Sequence, residues 1–411
     1  MDSVEGLQQP STRNRWKPSE DVTRQSRFPI GAGITLDQLE TGPHPHLARL
    51  RADEPVSWVP VFDGWMVTGR DEAIEAMRDW ETYTVDDPRF STGQVVGPSM
   101  LSLDGPEHTR HRKPFVDPFR ADPVRERLKQ SIIARARNLI DGFKTAGHAE
   151  LGSQLSGPLA VGVMSDLLGL EGVDPDSLLD WYDDIVAAVD AVTAGEDVPA
   201  AGVAAYQALK DAVESAMAGE ALPLLIRRQG DLNTDEIVSN IAILLFGGIV
   251  TTEGTTSTLL HQLMLNPDQL EQVRQDRSLI RNAVEETLRY EPAAAAIDRY
   301  ATRDTRLGDV LIEAGDLVRI SLAAPNRDPE VFSDPDRFDI TRANAGQHLG
   351  FARGPHACLG IHLARMETAI AVEIILDELP TMRLDPEMTL GASGLIFRGP
   401  RAVAARWTQT G

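Results

Sequence analysis

The chain has 411 residues, 42% hydrophobic and 25% charged, with a formal net charge of −22 and a single cysteine. This is an ordinary globular composition. The acidity argues against nucleic acid or an anionic membrane as the main partner, and one cysteine excludes an internal disulfide. Residues 1–30 are polar and rich in Arg, Ser and Gln, without the apolar stretch of a signal peptide, and are expected to be disordered. The longest apolar run, 241–250, is far short of the roughly 20 residues a membrane span needs. The expectation is a cytoplasmic protein with one domain over residues 31–411, touching neither membrane nor nucleic acid.

In chain order, 45–80 reads as helix, two short strands and helix, with Asp63-Gly64 as a hairpin turn. Residues 82–100 read as a functional loop, being rich in Pro, Gly, Ser and Asp. From His108 to Met264 the pattern is helical, with breaks near Arg120, Gly147, Gly157, Gly172 and Gly219. Its longest helix spans 234–266, capped by Asn233 or Thr234 and stopped at Asn266-Pro267. One further helix is expected over 268–290, then strands near 297–300, 306–307 and 318–320. A turn-rich coil fills 323–350, a helix runs from Leu359 to Leu379, and 395–407 is β-like. The fold class is mainly α with small β-sheets, wrapped as one unit.

Between Leu101 and Ile140 nine Arg and Lys face only five acids. Such a segment suits an acidic docking partner or a bound anion, and equally a solvated helix face.

Four motifs carry chemistry. Cys358 sits where the loop Phe351-Ala352-Arg353-Gly354-Pro355-His356-Ala357-Cys358-Leu359-Gly360 enters a helix. Free N–H groups and the helix dipole favour a thiolate there, a nucleophile or a metal ligand; most lone cysteines are nevertheless inert buried thiols. Gly247-Gly248 stands mid-helix at about 1 kcal/mol per glycine, with Thr251 one turn on. That is either a gap for a small ligand or close helix packing, with the threonines bonded back along the helix. Glu286 and Arg289 are i, i+3 partners, and surface pairs of this kind are common. His108 and Arg112 share a helix face and could receive a carboxylate or phosphate.

Together and in order, these motifs resemble the cytochrome P-450 family of haem-thiolate monooxygenases. Phe351, Gly354, His356, Cys358 and Gly360 match the haem-binding signature, Glu286-x-x-Arg289 the E-x-x-R helix, and Gly247-Gly248-x-x-Thr251 the oxygen-groove motif. The resemblance implies haem b with Cys358 as its axial thiolate. His108, Arg112, Arg299 and His356 would hold the haem propionates. Arg337, in Asp334-Pro335-Asp336-Arg337-Phe338, would complete an ion cluster with Glu286 and Arg289. Thr251 would hydrogen-bond dioxygen and help to deliver protons. Where the family often has an acid, this chain has Val250, so Thr252, Glu253 (i+3), water or substrate would assist. The substrate pocket would be lined by the 82–100 loop, Leu245, Ile249, Val250, Ala294, Ile297, Leu395 and Ile396, with Asp298 the acid nearby.

The activity so implied is ferredoxin-driven oxidation of a small to medium organic substrate by hydroxylation, epoxidation or dealkylation. Dioxygen and an NAD(P)H-dependent ferredoxin reductase complete the system. Alternatives on the same centre are oxidative aromatic coupling, aryl-ether O-demethylation and direct use of peroxide. A non-catalytic haem sensor or carrier is the alternative of another class.

Overall fold

The computed structural model describes residues 18–170, 172–193, 196–218 and 231–408. The chain opens with helices α1 (Pro18–Arg27), α2 (Pro29–Ala32), α3 (Leu36–Thr41) and α4 (Pro43–Asp53). Part of the segment expected to be disordered is therefore helical. Arg24 explains why: it lies over the Trp58 ring at 4.4 Å and pairs with Glu313 at 3.0 Å. Residues 1–17 lie outside the described residues, as does the break expected at Gly219.

Strands β1 (Val56–Val59) and β2 (Gly64–Val67) pair antiparallel, and Asp63 takes the left-handed conformation (φ 50°) at their connection. After α5 (Arg70–Arg78), the expected 82–100 loop holds β3 (Tyr83–Thr84) and α6 (Ser91–Val96). Then come α7 (Gly105–Val116), α8 (Ala121–Phe143) and β4 (His148–Glu150). A π-turn at Gly152–Ser156 runs directly into α9 (Gly157–Leu168), so Gly157 does not break the chain there. Helices α10 (Pro175–Thr193) and α11 (Ala200–Ala218) lead to the long helix α12 (Thr234–Leu265).

Helix α12 begins where the sequence says it should. The Asn233 side chain accepts from the Glu236 N–H (3.0 Å) and Glu236 Oε2 accepts from the Asn233 N–H (2.8 Å). It is long and apolar enough to cross a membrane, yet most of it is buried in the core. The single helix expected over 268–290 is two, α13 (Pro267–Gln275) and α14 (Ile280–Tyr290). Asp276 separates them by accepting the Ser278 N–H at 2.9 Å, which starts a 3₁₀ turn.

Strands β5 (Ala296–Ala301), β6 (Thr305–Leu307), β7 (Val310–Ile312) and β8 (Leu317–Ser321) follow, then the expected coil. Helix α15 (Ile361–Glu378) and strands β9 (Arg383–Leu384), β10 (Leu390–Ser393), β11 (Gly399–Ala402) and β12 (Ala404–Arg406) end the described chain. The largest sheet has the order β1-β2-β8-β5-β3, and β12 joins β4 to β9. The architecture is mainly helical with small sheets, as expected. The main core gathers α8, α9, α12 and α15 through Ile132, Leu159, Leu260 and Ile375, all at most 1% exposed.

One buried group works against this core. Glu367 on α15 is 2% exposed, and burial pushes its carboxyl up to about 8. Its folded pKa therefore lies above the ordinary 4.5. Below that ordinary value both states are protonated and nothing changes. As pH rises towards 8 the unfolded chain ionises while the folded one does not, so stability falls by on the order of 1 kcal/mol per pH unit. Glu367→Gln is expected to raise the melting temperature at pH 7 and flatten its decline between pH 5 and 8. Superimposable profiles for the two proteins would refute this.

Candidate active site

The cysteine loop is built by backbone geometry. The Cys358 N–H donates to the Phe351 carbonyl (2.9 Å) and the Ala357 N–H to Gly354 (3.1 Å). Gly354 has φ +77°, and a methyl group there would lie 2.3 Å from the Met77 carbonyl oxygen, so this turn requires glycine. The loop leads into α15, which is tied to α12 by a Thr256–Thr368 hydroxyl pair at 3.0 Å. The Cys358 side chain sits deep in the protein but remains accessible. Burial pushes its thiol up, against the Gly360 N–H and the charges of Arg112 and Arg365, which pull it down. The free thiol is thus not the thiolate that helix-start position alone suggests; a coordinated metal would deprotonate it outright.

Around this loop, side chains from distant segments converge. His108 and His356 lie ring to ring at 4.3 Å. Arg112 Nη2 donates to the Ala357 carbonyl at 2.5 Å. Arg299, on β5, is 4% exposed, and burial lowers its pKa to about 10 against the pull of Asp104 and Asp298. Asp104 was not foreseen. It takes His356 Nε2 (2.7 Å), the Thr84 hydroxyl (2.6 Å) and the Val85 N–H (2.8 Å), and these bonds outweigh burial to hold its carboxyl down at about 2. Its signal was its place at the start of α7, four residues before His108. His108 is pushed down to about 4 by burial, then by His356 and Arg112.

These residues fit the expected haem. His108 Nε2 is buried without a partner, an exception that a bound acceptor would remove. A methyl group at Gly360 would meet only the Cys358 sulfur, at 3.9 Å, and one at Gly247 would meet nothing within 4 Å. Both glycines border open space, one beside the sulfur and one on α12. Phe351 lies beneath Arg365, whose guanidinium is 4.8 Å from the ring centroid.

The two mid-helix glycines have different causes. At Gly248 a methyl group would come within 2.6 Å of the Met164 sulfur, so this glycine lets α9 pack closely. Gly247 is exposed on an otherwise buried helix, and Thr251, one turn on, donates its hydroxyl to the Gly247 carbonyl at 2.6 Å. The helix is unbroken here, so no distortion accompanies the pair. Val250 is partly exposed beside them, while Thr252 is 4% exposed.

Several expected residues are elsewhere. Glu253 is two positions past Thr251, about 160° around the helix. It packs on Gly157 near Glu150 and Asp183, and burial, then those two acids, raise its carboxyl to about 7. Leu245 lines a small void with Leu178, Trp181, Leu209 and Phe246, and Ile249 is fully buried. Phe246, on the same void, also sets its ring edge-on to Phe397 at 5.3 Å, next to the expected wall at Leu395 and Ile396. Ala294 and Ile297 are partly exposed, as are Leu395 and Ile396. The two segments adjoin, because the Ala295 N–H donates to the Ile396 carbonyl at 2.8 Å. Asp298 is taken by Arg319, with two bonds of 2.8 Å.

The ion cluster has a different third member. Glu286 and Arg289 are both 0% exposed and doubly bonded at 2.7 and 2.8 Å. The remaining guanidinium belongs to Arg342, whose Nε reaches both Glu286 oxygens at 3.1 Å. The Arg337 side chain is exposed; only its carbonyl takes part, accepting from Arg289 and Arg342.

Comparison with known proteins gives one answer. The family model for cytochrome P450 matches residues 210–388. The cytochrome P450 monooxygenase PikC of Streptomyces venezuelae is 34% identical over 92% of this chain and 94% of its own. Mycinamicin IV hydroxylase/epoxidase of Micromonospora griseorubida is 33% identical over 87% and 94%. Among solved structures, the cytochrome P450 enzyme CxnD for C–S bond formation in chuangxinmycin biosynthesis matches with a TM-score of 0.81 at 29% identity, covering 92% of this chain and 98% of that one. From the cysteine loop, its ring of basic side chains and these full-length likenesses, the chain belongs to the cytochrome P450 family and is a haem b monooxygenase.

Proposed function

We propose that residues 31–411 act as one cytoplasmic monooxygenase domain that hydroxylates, epoxidises or dealkylates a small to medium organic substrate with electrons from an iron–sulfur ferredoxin. The coarser activity, oxidation of small molecules with dioxygen and redox partners, belongs to the family. The observation that carries the finer reading is the gathering of His108, Arg112, Arg299 and His356 round the Cys358 loop with Asp104 as the acid among them.

In this reading the Cys358 sulfur would ligate the haem iron and the basic side chains would hold the propionates, with His108 Nε2 gaining the partner it lacks. Phe351, Gly354 and Gly360 would shape the seat beside Cys358. Haem bound there supplies the activation of dioxygen. Gly247 leaves room beside α12, and the Thr251 hydroxyl, oriented by the Gly247 carbonyl, is placed to pass a proton into that room. Thr252 and Glu253 are withdrawn from direct roles by their burial and facing. Ala294, Ile297, Leu395, Ile396 and Val250 form an apolar pocket wall. Thr251→Ala is expected to leave NAD(P)H oxidation within about twofold and to cut product per NAD(P)H severalfold. Unchanged coupling would remove Thr251 from this role.

The docking surface for an acidic ferredoxin is narrower than the sequence suggests. Arg110 is taken up by Glu107 and Glu236, Arg112 points inward and Arg135 pairs with Asp166; Lys113, Arg120, Arg125, Arg127, Lys129 and Arg137 are exposed, with Arg120 and Arg125 paired to Asp117 and Asp122. A second reading, oxidative coupling, is favoured by apolar Val250 beside Thr251 and by the likeness to a C–S bond-forming enzyme. Product mass separates the two: a gain of one oxygen for hydroxylation, a loss of two hydrogens for coupling.

A further inference from the structure

The expected pocket wall consists of two short segments, 293–297 and 395–397, and little backbone joins them. A single bridge pairs Ala294 with Phe397 through two bonds, the Ala295 N–H donating to the Ile396 carbonyl and the Arg398 N–H to the Ala293 carbonyl, both at 2.8 Å. The pair rests on α12 at Gly254, where a methyl group would come within 3.3 Å of the Ala293 Cβ.

We propose that Arg398 and Glu291 are positioning residues that fix this wall from behind and thereby set which substrates the pocket accepts; the inference rests on the pocket reading above. The Arg398 side chain is 5% exposed. Its Nε donates to Glu291 Oε1 (2.8 Å), Nη1 to the Glu40 and Gly394 carbonyls (2.6 and 3.3 Å), and Nη2 to the Ala392 carbonyl (3.2 Å). Glu291 stands two residues before Ala293, is 7% exposed, and takes His44 Nε2 on its other oxygen at 3.0 Å. One guanidinium thus joins the root of the first wall segment, the turn that carries the second, and the N-terminal helix α3.

Two features distinguish this from simple packing. A buried ion pair costs desolvation that apolar side chains would not, and a fully bonded one selects a single arrangement. Beside the pair, moreover, opens a polar cleft of about 320 Å³, bordered by His44, Thr258, His261, Glu291, Arg327 and Arg398. The wall therefore has room to retreat once the bonds are cut. Ligands that lean on the wall should weaken, and ligands small enough to miss it should not.

The test uses the haem-loaded protein, titrated spectrally with imidazole, which needs only the iron and the space at Gly247, and with phenylimidazole, which reaches the wall. In Arg398→Met the phenylimidazole Kd should rise about tenfold while the imidazole Kd stays within about twofold. Glu291→Gln keeps an acceptor for Nε and should show the same bias, more weakly; it decides the matter if Arg398→Met does not fold. A parallel loss for both ligands, or an unchanged ratio with an intact reduced carbon-monoxide spectrum, overturns the inference alone. A wild-type protein that binds imidazole but excludes phenylimidazole overturns the pocket reading and the inference with it.

Discussion

Cys358→Ser is expected to give a folded protein whose reduced carbon-monoxide complex has lost the thiolate-type absorption, and whose product formation has fallen by about two orders of magnitude or more. The fold should survive because the loop does not depend on sulfur. Its shape comes from the bonds of the Cys358 and Ala357 N–H groups and from the left-handed turn at Gly354. Serine is nearly isosteric and fits the same space. What changes is the donor: a serine hydroxyl here has no tendency to ionise, since the desolvating surroundings already oppose ionisation of the far more acidic thiol. Circular dichroism would report the fold and the carbon-monoxide difference spectrum the ligand. An unchanged spectrum would remove Cys358 as the ligand.

Arg342→Ala is expected to cost about 3–5 kcal/mol of unfolding free energy, whereas Arg337→Ala should stay within about 0.5 kcal/mol of wild type. Glu286 is fully buried and accepts from Arg289, Arg342 and the Asp339 N–H (2.8 Å). Deleting the Arg342 guanidinium leaves a buried carboxylate with one cation, and also frees the Ser333 and Asp334 carbonyls that it caps. Truncating Arg337 removes an exposed side chain and leaves its carbonyl in place. The damage from Arg342→Ala should reach the cysteine loop. Asn326, whose carbonyl accepts from Arg289, also takes the Leu349 N–H at 2.6 Å, just before that loop. Haem content per protein should therefore fall in Arg342→Ala and hold in Arg337→Ala. Urea midpoints with unchanged slopes, together with the ratio of haem to protein absorbance, would check both. Equal effects of the two variants would contradict the cluster described.

What the sequence revealed and what it hid have physical causes. The long helix was readable at both ends because capping and proline stops are local. The cysteine loop and the Glu286–Arg289 pair were readable because their spacing is local too. The choice between Arg337 and Arg342 was not, because they lie in coil, where no periodicity says which way a side chain points. Helix α12 hid its orientation for a related reason. It is apolar nearly all round, so nothing in its pattern marks one face as the open one. Leu245 and Ile249 were assigned to the pocket from the family resemblance, which the helix's own pattern could not check, and Phe246 was overlooked. Glu253 was drawn in as the acid one turn (i+3) from Val250, and that same spacing sets it two positions from Thr251, across the helix axis. Likewise Gly247 and Gly248 look alike in sequence and differ only in what stands opposite each.

The pocket wall also constrains how the protein is made. Glu40 receives both the Gly394 N–H and Arg398, and Glu150 and Leu151 complete their bonds only with Val403. Elements from the first half of the chain thus wait for residues near its end. At a translation rate of roughly 10 residues per second, the N-terminal helices spend on the order of half a minute outside the ribosome without these partners. The apolar flank of α12 is uncovered for part of that interval, a liability that chaperones exist to manage. Docking of the first-half segments at Glu40, Glu150 and Leu151 then waits until residues 394–403 have been made.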